Sequence, residues 1–127
     1  MTRHKSGFTL IEMLIVVLVI GILVAIAVPN YQRVKGRARA AAIRSDLRNL
    51  ATAQEEYLGT FHVYANDPAL LDYTSSEGVV VSIIEATGHG WSATTTHPLS
   101  FPLTCALYHG TAAQVAPATN EGVIACA

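Results

Sequence analysis

The last 79 residues of this 127-residue chain contain no lysine or arginine. All eight basic residues lie between Arg3 and Arg48, whereas the stretch after Arg48 contains seven Asp and Glu residues. Proteins that bind nucleic acid gain much of their affinity by neutralising phosphates with Lys and Arg side chains. We therefore expect the C-terminal part of the chain to bind no nucleic acid by itself.

Charge is scarce throughout, at 13% of residues, and the sequence has a single long apolar run. From Phe8 to Val28 the only polar side chains are those of Thr9 and Glu12. At ~1.5 Å of rise per residue, a helix of this length spans the ~30 Å hydrocarbon core of a bilayer. We therefore expect neither a wholly soluble cytoplasmic protein nor a channel or transporter with several spans.

Cysteine is also scarce, since only Cys105 and Cys126 are present. A pair in a small acidic domain indicates one disulfide, and hence an oxidising compartment outside the inner membrane. The basic residues Arg3 and Lys5 favour the cytoplasmic side for the start of the chain. Basic residues also follow the apolar run and oppose this orientation, so the cysteine pair decides it. The sequence predicts a single-pass inner-membrane protein with its C-terminal part outside the cytoplasm.

Residues 8 to about 60 are predicted to form one long helix, because apolar residues continue to recur every three or four positions after Pro29. Gly59 is expected to end this helix. Gly21 and Pro29 are its weak points, where it is able to kink or melt, since proline removes a backbone hydrogen bond. The positions expected to face the core are Ile43, Leu47, Leu50, Gln54, Tyr57 or Leu58, and Phe61.

After the helix, Asp67-Pro68 predicts a short helical turn, and runs rich in β-branched residues predict four strands with a hairpin turn at 88–90. The runs are Val79–Glu85, Trp91–His97, Leu103–Tyr108 and Gly122–Cys126. The predicted fold class is α+β. A long N-terminal helix, transmembrane and then amphipathic, packs on a small antiparallel sheet of about four strands.

Patterns typical of catalytic and metal sites are missing from the sequence. The spacing of His62, His89, His97 and His109 does not fit a tight metal-ligand motif. There is no nucleophile elbow and no phosphate-binding loop. We therefore expect no catalytic residue, no metal and no cofactor, and a protein that is not an enzyme.

The strongest motif is Lys5-Ser6-Gly7-Phe8-Thr9-Leu10-Ile11-Glu12, which leads directly into the apolar run. A carboxylate inside a membrane helix costs about 2.5–3.5 kcal/mol, so Glu12 is expected to have a function. No Lys or Arg lies within one helical turn of it. We therefore expect Glu12 to have no partner in its own chain.

This junction resembles that of type IV pilins and the related prepilin-type proteins. The resemblance implies that a membrane prepilin peptidase cleaves between Gly7 and Phe8 and N-methylates Phe8. It also implies that Glu12 pairs with the Phe8 amine of a neighbouring subunit, and that Gly21 and Pro29 give the helix flexibility. The product would be a helical filament of this and other pilins at the cell surface. An inner-membrane platform protein and an ATPase would assemble it, and lipid would surround the helix beforehand.

The resemblance divides the chain into four segments: a cleaved leader at 1–7, a transmembrane and filament-core half of the helix at 8–29, an amphipathic half at 30–60, and a head at 61–127. The head comprises the loop after the helix, the sheet and the C-terminal disulfide region. A role in motility, adhesion or DNA uptake is left open.

Three alternatives remain at this stage. A pseudopilin of a type II secretion or competence system shares the junction and the helix. A membrane-anchored or secreted binding module would use its head to recognise a ligand. An ordinary signal peptidase could also cut after Ala25-Ile26-Ala27, but the apolar run is longer than the usual ~7–15 residues of a signal sequence and contains Glu12.

Overall fold

The structure, a computed structural model, describes residues 6–127. One helix, α1, occupies Leu10–Phe61 and confirms the predicted long helix. The expected stop at Gly59 is wrong by two residues. The residue after the helix, His62, has a φ of 59°, the left-handed conformation that ends many helices. The contacts within the chain divide it into two units. The first unit ends at Val34, and the second is Lys35–Ala127.

The first unit presents an exposed apolar surface. Every large apolar side chain between Phe8 and Val28 is about half exposed or more. The helix is continuous at Gly21 and at Pro29. Melting of the helix between these two residues therefore stays a prediction.

The second unit contains a four-stranded antiparallel sheet with strand order β1-β2-β3-β4. The strands are β1 Val80–Ala86, β2 Gly90–Thr96, β3 Thr104–Gly110 and β4 Ala125–Cys126. The hairpin predicted at 88–90 joins β1 to β2. A short 3-10 turn at Pro68–Leu70 is capped by the Asp67 carboxylate, which accepts from the Ala69 amide at 2.9 Å. These elements confirm the predicted α+β fold.

The core lies between the second half of α1 and one face of the sheet. Ile43, Leu47 and Leu50 are completely buried against a cluster that includes Trp91 and Ala93. The hydroxyl of Thr95 on β2 donates to the Ile43 carbonyl at 2.9 Å. Because a helical carbonyl already accepts within the helix, this bond uses its second lone pair. The expected core position Phe61 is wrong, since it lies in the last turn of α1 and is 58% exposed.

Two buried polar side chains of α1 hold the loop that follows it. The Gln54 amide donates to the Ala65 carbonyl and accepts from the Ala65 amide, both at 2.8 Å. The Asp46 carboxylate accepts from the Ser76 amide at 2.8 Å and from the Ser76 hydroxyl at 2.9 Å. Since a buried polar group costs free energy when it loses its hydrogen bonds, both side chains favour this position of the loop on the helix.

The cysteine pair forms the predicted disulfide. Cys105 and Cys126 are register partners in β3 and β4. Thr104 and Ala127 exchange two backbone hydrogen bonds beside them, at 2.9 and 3.1 Å. β4 begins later than the predicted Gly122, because Gly122 has a φ of 72° and belongs to a turn. Because β4 has two residues, it makes few backbone hydrogen bonds to β3, and the disulfide also holds it in place.

The Tyr73 hydroxyl gives a test of this packing, because it is buried and has no hydrogen-bond partner among residues 6–127. Burial, with a further contribution from the Asp46 carboxylate, raises the pKa of Tyr73 to about 12. An unfolded tyrosine loses its proton near pH ~10, so the free energy of unfolding should fall as pH rises from about 10 to 12. Tyr73→Phe should remove this part of the loss. Denaturant unfolding of the detergent-solubilised chain at several pH values measures it.

At pH 7, Tyr73→Phe should leave the stability unchanged or raise it, because it deletes a buried hydroxyl that has no partner. Tyr108→Phe is the matched control. The Tyr108 hydroxyl donates to the Thr119 carbonyl at 3.1 Å, so its removal should lower stability at pH 7 by about 1 kcal/mol. If the free energy of unfolding fell by the same amount at alkaline pH in wild type and in Tyr73→Phe, the fall would not come from Tyr73.

Candidate functional site at the start of the helix

The predicted cleavage junction precedes α1 and is fully accessible. Gly7 and Phe8 are exposed, Phe8 by 79%. A Cβ added at Gly7 would meet no atom within 4 Å, and the backbone there does not have the positive φ that favours glycine. The fold of the described chain therefore supplies no reason for glycine at this position.

Thr9 and Glu12 form a capping box at the N-terminus of α1. The Thr9 amide and the Thr9 hydroxyl both donate to Oε2 of Glu12, at 2.8 and 2.9 Å. The Glu12 amide donates back to the Thr9 hydroxyl oxygen at 3.2 Å. These bonds satisfy two backbone amides at a helix start that have no partner within the helix. The expectation that Glu12 has no partner in its own chain is therefore wrong.

The sequence contained the signal for this motif. A Thr followed three residues later by Glu, just before an apolar run, is the signature of a capping box. The search for a Lys or Arg near Glu12 missed it, because the partner is a hydroxyl and a backbone amide. Thr9 is thus the functional-site residue that sequence reasoning overlooked.

The Glu12 carboxylate can still accept another donor. Both of its bonds end on Oε2, and within residues 6–127 no hydrogen bond reaches Oε1. An ionised carboxylate offers about four acceptor sites, and the positive end of the helix dipole favours its charge. The side chain is exposed. The site can therefore hold a cation or an amine from outside the chain.

The other predicted site residues lie apart from the junction. Gly21 and Pro29 are further along the helix, about 14 and 26 Å of rise beyond Glu12. A Cβ at Gly21 would contact nothing in the described chain, so this glycine leaves room for a close neighbour outside it. The cysteine pair belongs to the second unit. Within residues 6–127, no three His, Cys, Asp or Glu side chains come together as a metal site.

α1 is long and apolar enough to cross a membrane, and none of its most apolar 18-residue window is buried. Its uncovered surface begins at the capping box. The candidate site is therefore a charged helix start attached to a helix that requires a cover of lipid or protein.

Comparison with known proteins bears on the same segment. Residues 2–28 match the family model of the prokaryotic N-terminal methylation motif. The chain is 32% identical over 93 residues to the major component of the type IV wide pilus of Thermus thermophilus, an alignment that covers 70% of this chain and 71% of that protein. The chain belongs to the type IV pilin family.

Other relatives of this pilin match over half of the chain or less. It is 42% identical over 63 residues to the type IV major pilin of Myxococcus xanthus, across 50% of this chain and 29% of that pilin. It is also 38% identical over 55 residues to the type II secretion system core protein G of Pseudomonas aeruginosa, across 43% of this chain and 39% of that protein. This chain thus spans less than a third of the Myxococcus pilin, whereas it spans most of the Thermus protein.

The capping box of this pilin can be tested through Thr9→Ala. Loss of the hydroxyl leaves only the Thr9 amide to bond Glu12, and an N-cap substitution of this kind costs about 1 kcal/mol. Amide hydrogen exchange at residues 10–13 of the full chain in detergent should become about fivefold faster, since 1.4 kcal/mol corresponds to a factor of ten. Thr9→Ser keeps the hydroxyl and should retain the wild-type rate. Equal exchange in Thr9→Ala and wild type would show that the capping box does not stabilise the helix start.

Proposed function

We propose that this pilin is the structural subunit of a type IV pilus, and not an enzyme. The observation that carries the proposal is the exposed Glu12 carboxylate at the start of an uncovered apolar helix. Cleavage between Gly7 and Phe8 creates a free amine one residue before Thr9. A carboxylate and an ammonium buried together are tolerated, whereas either alone is costly. The amine of a neighbouring subunit is thus the donor from which Oε1 of Glu12 accepts a hydrogen bond.

Methylation of the Phe8 amine is consistent with this pairing. A methylated amine keeps its positive charge and retains protons to donate. The accessibility of Gly7 and Phe8 supports cleavage by a peptidase. Gly7 has no packing role among residues 6–127, which supports a requirement imposed by that enzyme. The proposed leader is therefore 1–7.

Filament growth follows from the helix surface. In the filament, residues 8–29 of one subunit pack on different residues of the next, and a contact of this heterologous kind does not close into a ring. Residues 30–60 support the head at 61–127. Flexibility between Gly21 and Pro29 would adjust the helix to its neighbours.

The proposed partners are further copies of this chain and other pilins, the prepilin peptidase, an inner-membrane platform protein and an assembly ATPase. Before assembly the chain spans the inner membrane once, with its head outside the cytoplasm. After assembly it lies in the surface pilus. The oxidised cysteine pair supports an exported head, since disulfides persist in oxidising compartments.

A pseudopilin of a type II secretion system is the second candidate, because the chain resembles core protein G of such a system. That similarity covers 43% of this chain, whereas the similarity to the Thermus pilus component covers 70%. Electron microscopy of cells with and without the gene separates the two. Loss of surface filaments on deletion supports the pilus subunit, and loss of protein secretion with unchanged filaments supports the pseudopilin.

Mass spectrometry of the assembled protein tests the processing step. The mature chain should begin at Phe8 and be heavier by one methyl group than the unmodified sequence. Replacing Gly7 with a bulky residue, as in Gly7→Leu, should leave the leader attached while the protein still enters the membrane. A mature chain that begins at Val28 would instead indicate ordinary signal peptidase and would remove the helix from the filament.

Glu12→Leu tests the pairing step. The variant should enter the membrane at least as well as wild type, because it removes the insertion cost of a charge. It should also be cleaved after Gly7, since the leader and the cleaved bond are unchanged. Its neighbour's amine would then be buried without a partner, at a cost of about 3–5 kcal/mol. Filaments counted by electron microscopy should fall a hundredfold or more.

Two further variants separate charge from capping. Glu12→Gln keeps an acceptor for the Thr9 amide and hydroxyl but carries no charge, so assembly should remain severely reduced. Glu12→Asp keeps the charge on a shorter side chain, so assembly should recover in part. Normal filament numbers in Glu12→Gln would mean that the capping box, and not the charge, is what assembly requires.

A further inference from the structure

The two cysteines of the disulfide lie in different surroundings. Cys105, on β3, is completely buried in the core, whereas Cys126, on β4, is only partly buried. In thiol–disulfide exchange a thiolate from one molecule must reach a sulfur atom of the other, so access helps to decide which sulfur reacts. Cys126 is therefore the cysteine that a molecule from outside the chain reaches more easily.

A cation lies beside the more accessible sulfur. The guanidinium of Arg44, on α1, donates from Nη2 to Sγ of Cys126 at 3.6 Å. Arginine keeps its proton at the pH values at which thiols ionise, so this contact always brings a positive charge to the sulfur. A cation next to a cysteine favours the thiolate, which is the reactive form, and burial in apolar surroundings disfavours it. The surroundings therefore favour the thiolate at Cys126 and oppose it at Cys105.

No acid within residues 6–127 forms an ion pair with Arg44. Glu121, the acidic residue nearest to Cys126 in the sequence, accepts instead from the Gly110 amide at 2.7 Å and lies 3.6 Å from Nδ1 of His109. The charge of Arg44 is thus available to the sulfur.

Backbone bonds also hold Cys126 close to Arg44. Thr104 and Ala127 exchange two hydrogen bonds directly beside the cysteine pair, at 2.9 and 3.1 Å. The Gly122 amide, four residues before Cys126, donates to the Tyr108 carbonyl of β3 at 2.9 Å. These bonds do not involve the sulfur atoms. We therefore expect β4 to stay beside β3 when both cysteines are reduced.

We propose that the disulfide forms and exchanges through Cys126, whose thiolate is held beside the Arg44 guanidinium and is the first of the two cysteines to react. The partner is a molecule that carries an exchangeable disulfide. Arg44 is a positioning residue for this reaction, and Cys105 acts second. The proposal concerns the second unit alone and does not depend on filament assembly.

The reaction has two steps. The Cys126 thiolate attacks one sulfur of the partner's disulfide, that bond breaks, and the partner's other sulfur leaves as a thiolate. Cys105 then loses its proton and attacks Sγ of Cys126, which releases the partner's first sulfur. Two cysteine thiols are oxidised to a disulfide, the partner's disulfide is reduced to two thiols, and the two protons pass to the partner. Reduction of the native disulfide follows the same path in reverse, with attack on Cys126.

Brief alkylation of the reduced full chain in detergent identifies the more reactive cysteine. Iodoacetamide is small and uncharged, so Arg44 does not steer it, and its product cannot be displaced by the second cysteine. Cleavage after Glu121 places the two cysteines on separate peptides for mass spectrometry. Label should appear on Cys126 about tenfold more often than on Cys105, because access and thiolate content both favour it. In denaturant, where the fold is lost, both should react at similar rates.

Arg44→Gln tests the role of the guanidinium through the pH profile of Cys126 alkylation. The pH of half-maximal rate should rise by about one unit, which lowers the thiolate content at pH 7 about tenfold. Each thiolate then becomes about threefold more reactive, so the rate at pH 7 should fall about threefold. Disulfide formation with hydroxyethyl disulfide, also uncharged, should slow by a similar factor. Arg44→Lys keeps the charge and should recover part of the rate.

Arg48→Gln is the matched control. Arg48 lies one helical turn from Arg44 and lines the same groove, but among residues 6–127 it makes no hydrogen bond to a sulfur. Its removal should leave the pH profile of Cys126 unchanged.

Three results would overturn the proposal. Equal labelling of the two cysteines in the reduced chain without denaturant, or faster labelling of Cys105, would show that exchange does not begin at Cys126. An unchanged pH profile in Arg44→Gln would remove the role of Arg44. Equal shifts in Arg44→Gln and Arg48→Gln would assign the effect to the positive charge of the whole groove, and not to the contact with Sγ.

Discussion

The uncovered apolar surface of the first half of α1 is the constraint on which the rest of the molecule depends. The large apolar side chains from Phe8 to Val28 are about half exposed or more, and they precede the residues of α1 that enter the core. At roughly 25 cal/mol for each Å² of apolar surface, leaving this segment in water is prohibitive. It must be covered by lipid or by other helices. The same helix then enters a normal core at Ile43, where the sheet supplies the cover.

Periodicity and local motifs made much of the fold predictable. The apolar run and the three-to-four spacing of Ile43, Leu47 and Leu50 define both halves of α1, and short β-branched runs define the first three strands. The disulfide could be predicted because the chain contains only Cys105 and Cys126. At the site, Gly7, Phe8 and Glu12 are predicted from their order along the chain, which needs no tertiary information.

The features that were missed depend on partners or on backbone conformation. Asp46 is buried in the core face of α1 because Ser76, thirty residues away, donates two hydrogen bonds to it, and no local pattern shows that contact. The end of the helix at Phe61 rather than Gly59 depends on the positive φ of the next residue, His62. The bonds from Thr9 to Glu12 are the exception, since they are local and their spacing is a known capping signature.

In the proposed assembly, α1 would exchange one apolar cover, lipid, for another, the helices of a filament. Lipid tails are as apolar as Leu side chains, so the hydrophobic effect supplies little drive for helix association in a membrane. Polar groups and close packing must therefore determine where neighbouring helices meet. Within the described apolar segment, Thr9 and Glu12 are the polar side chains, and Gly21 is the position where a neighbour can approach most closely. The bonds from Thr9 satisfy one oxygen of Glu12 within the chain. In the assembly proposed above, its other oxygen would accept from the amine of the next subunit and so set that subunit's position.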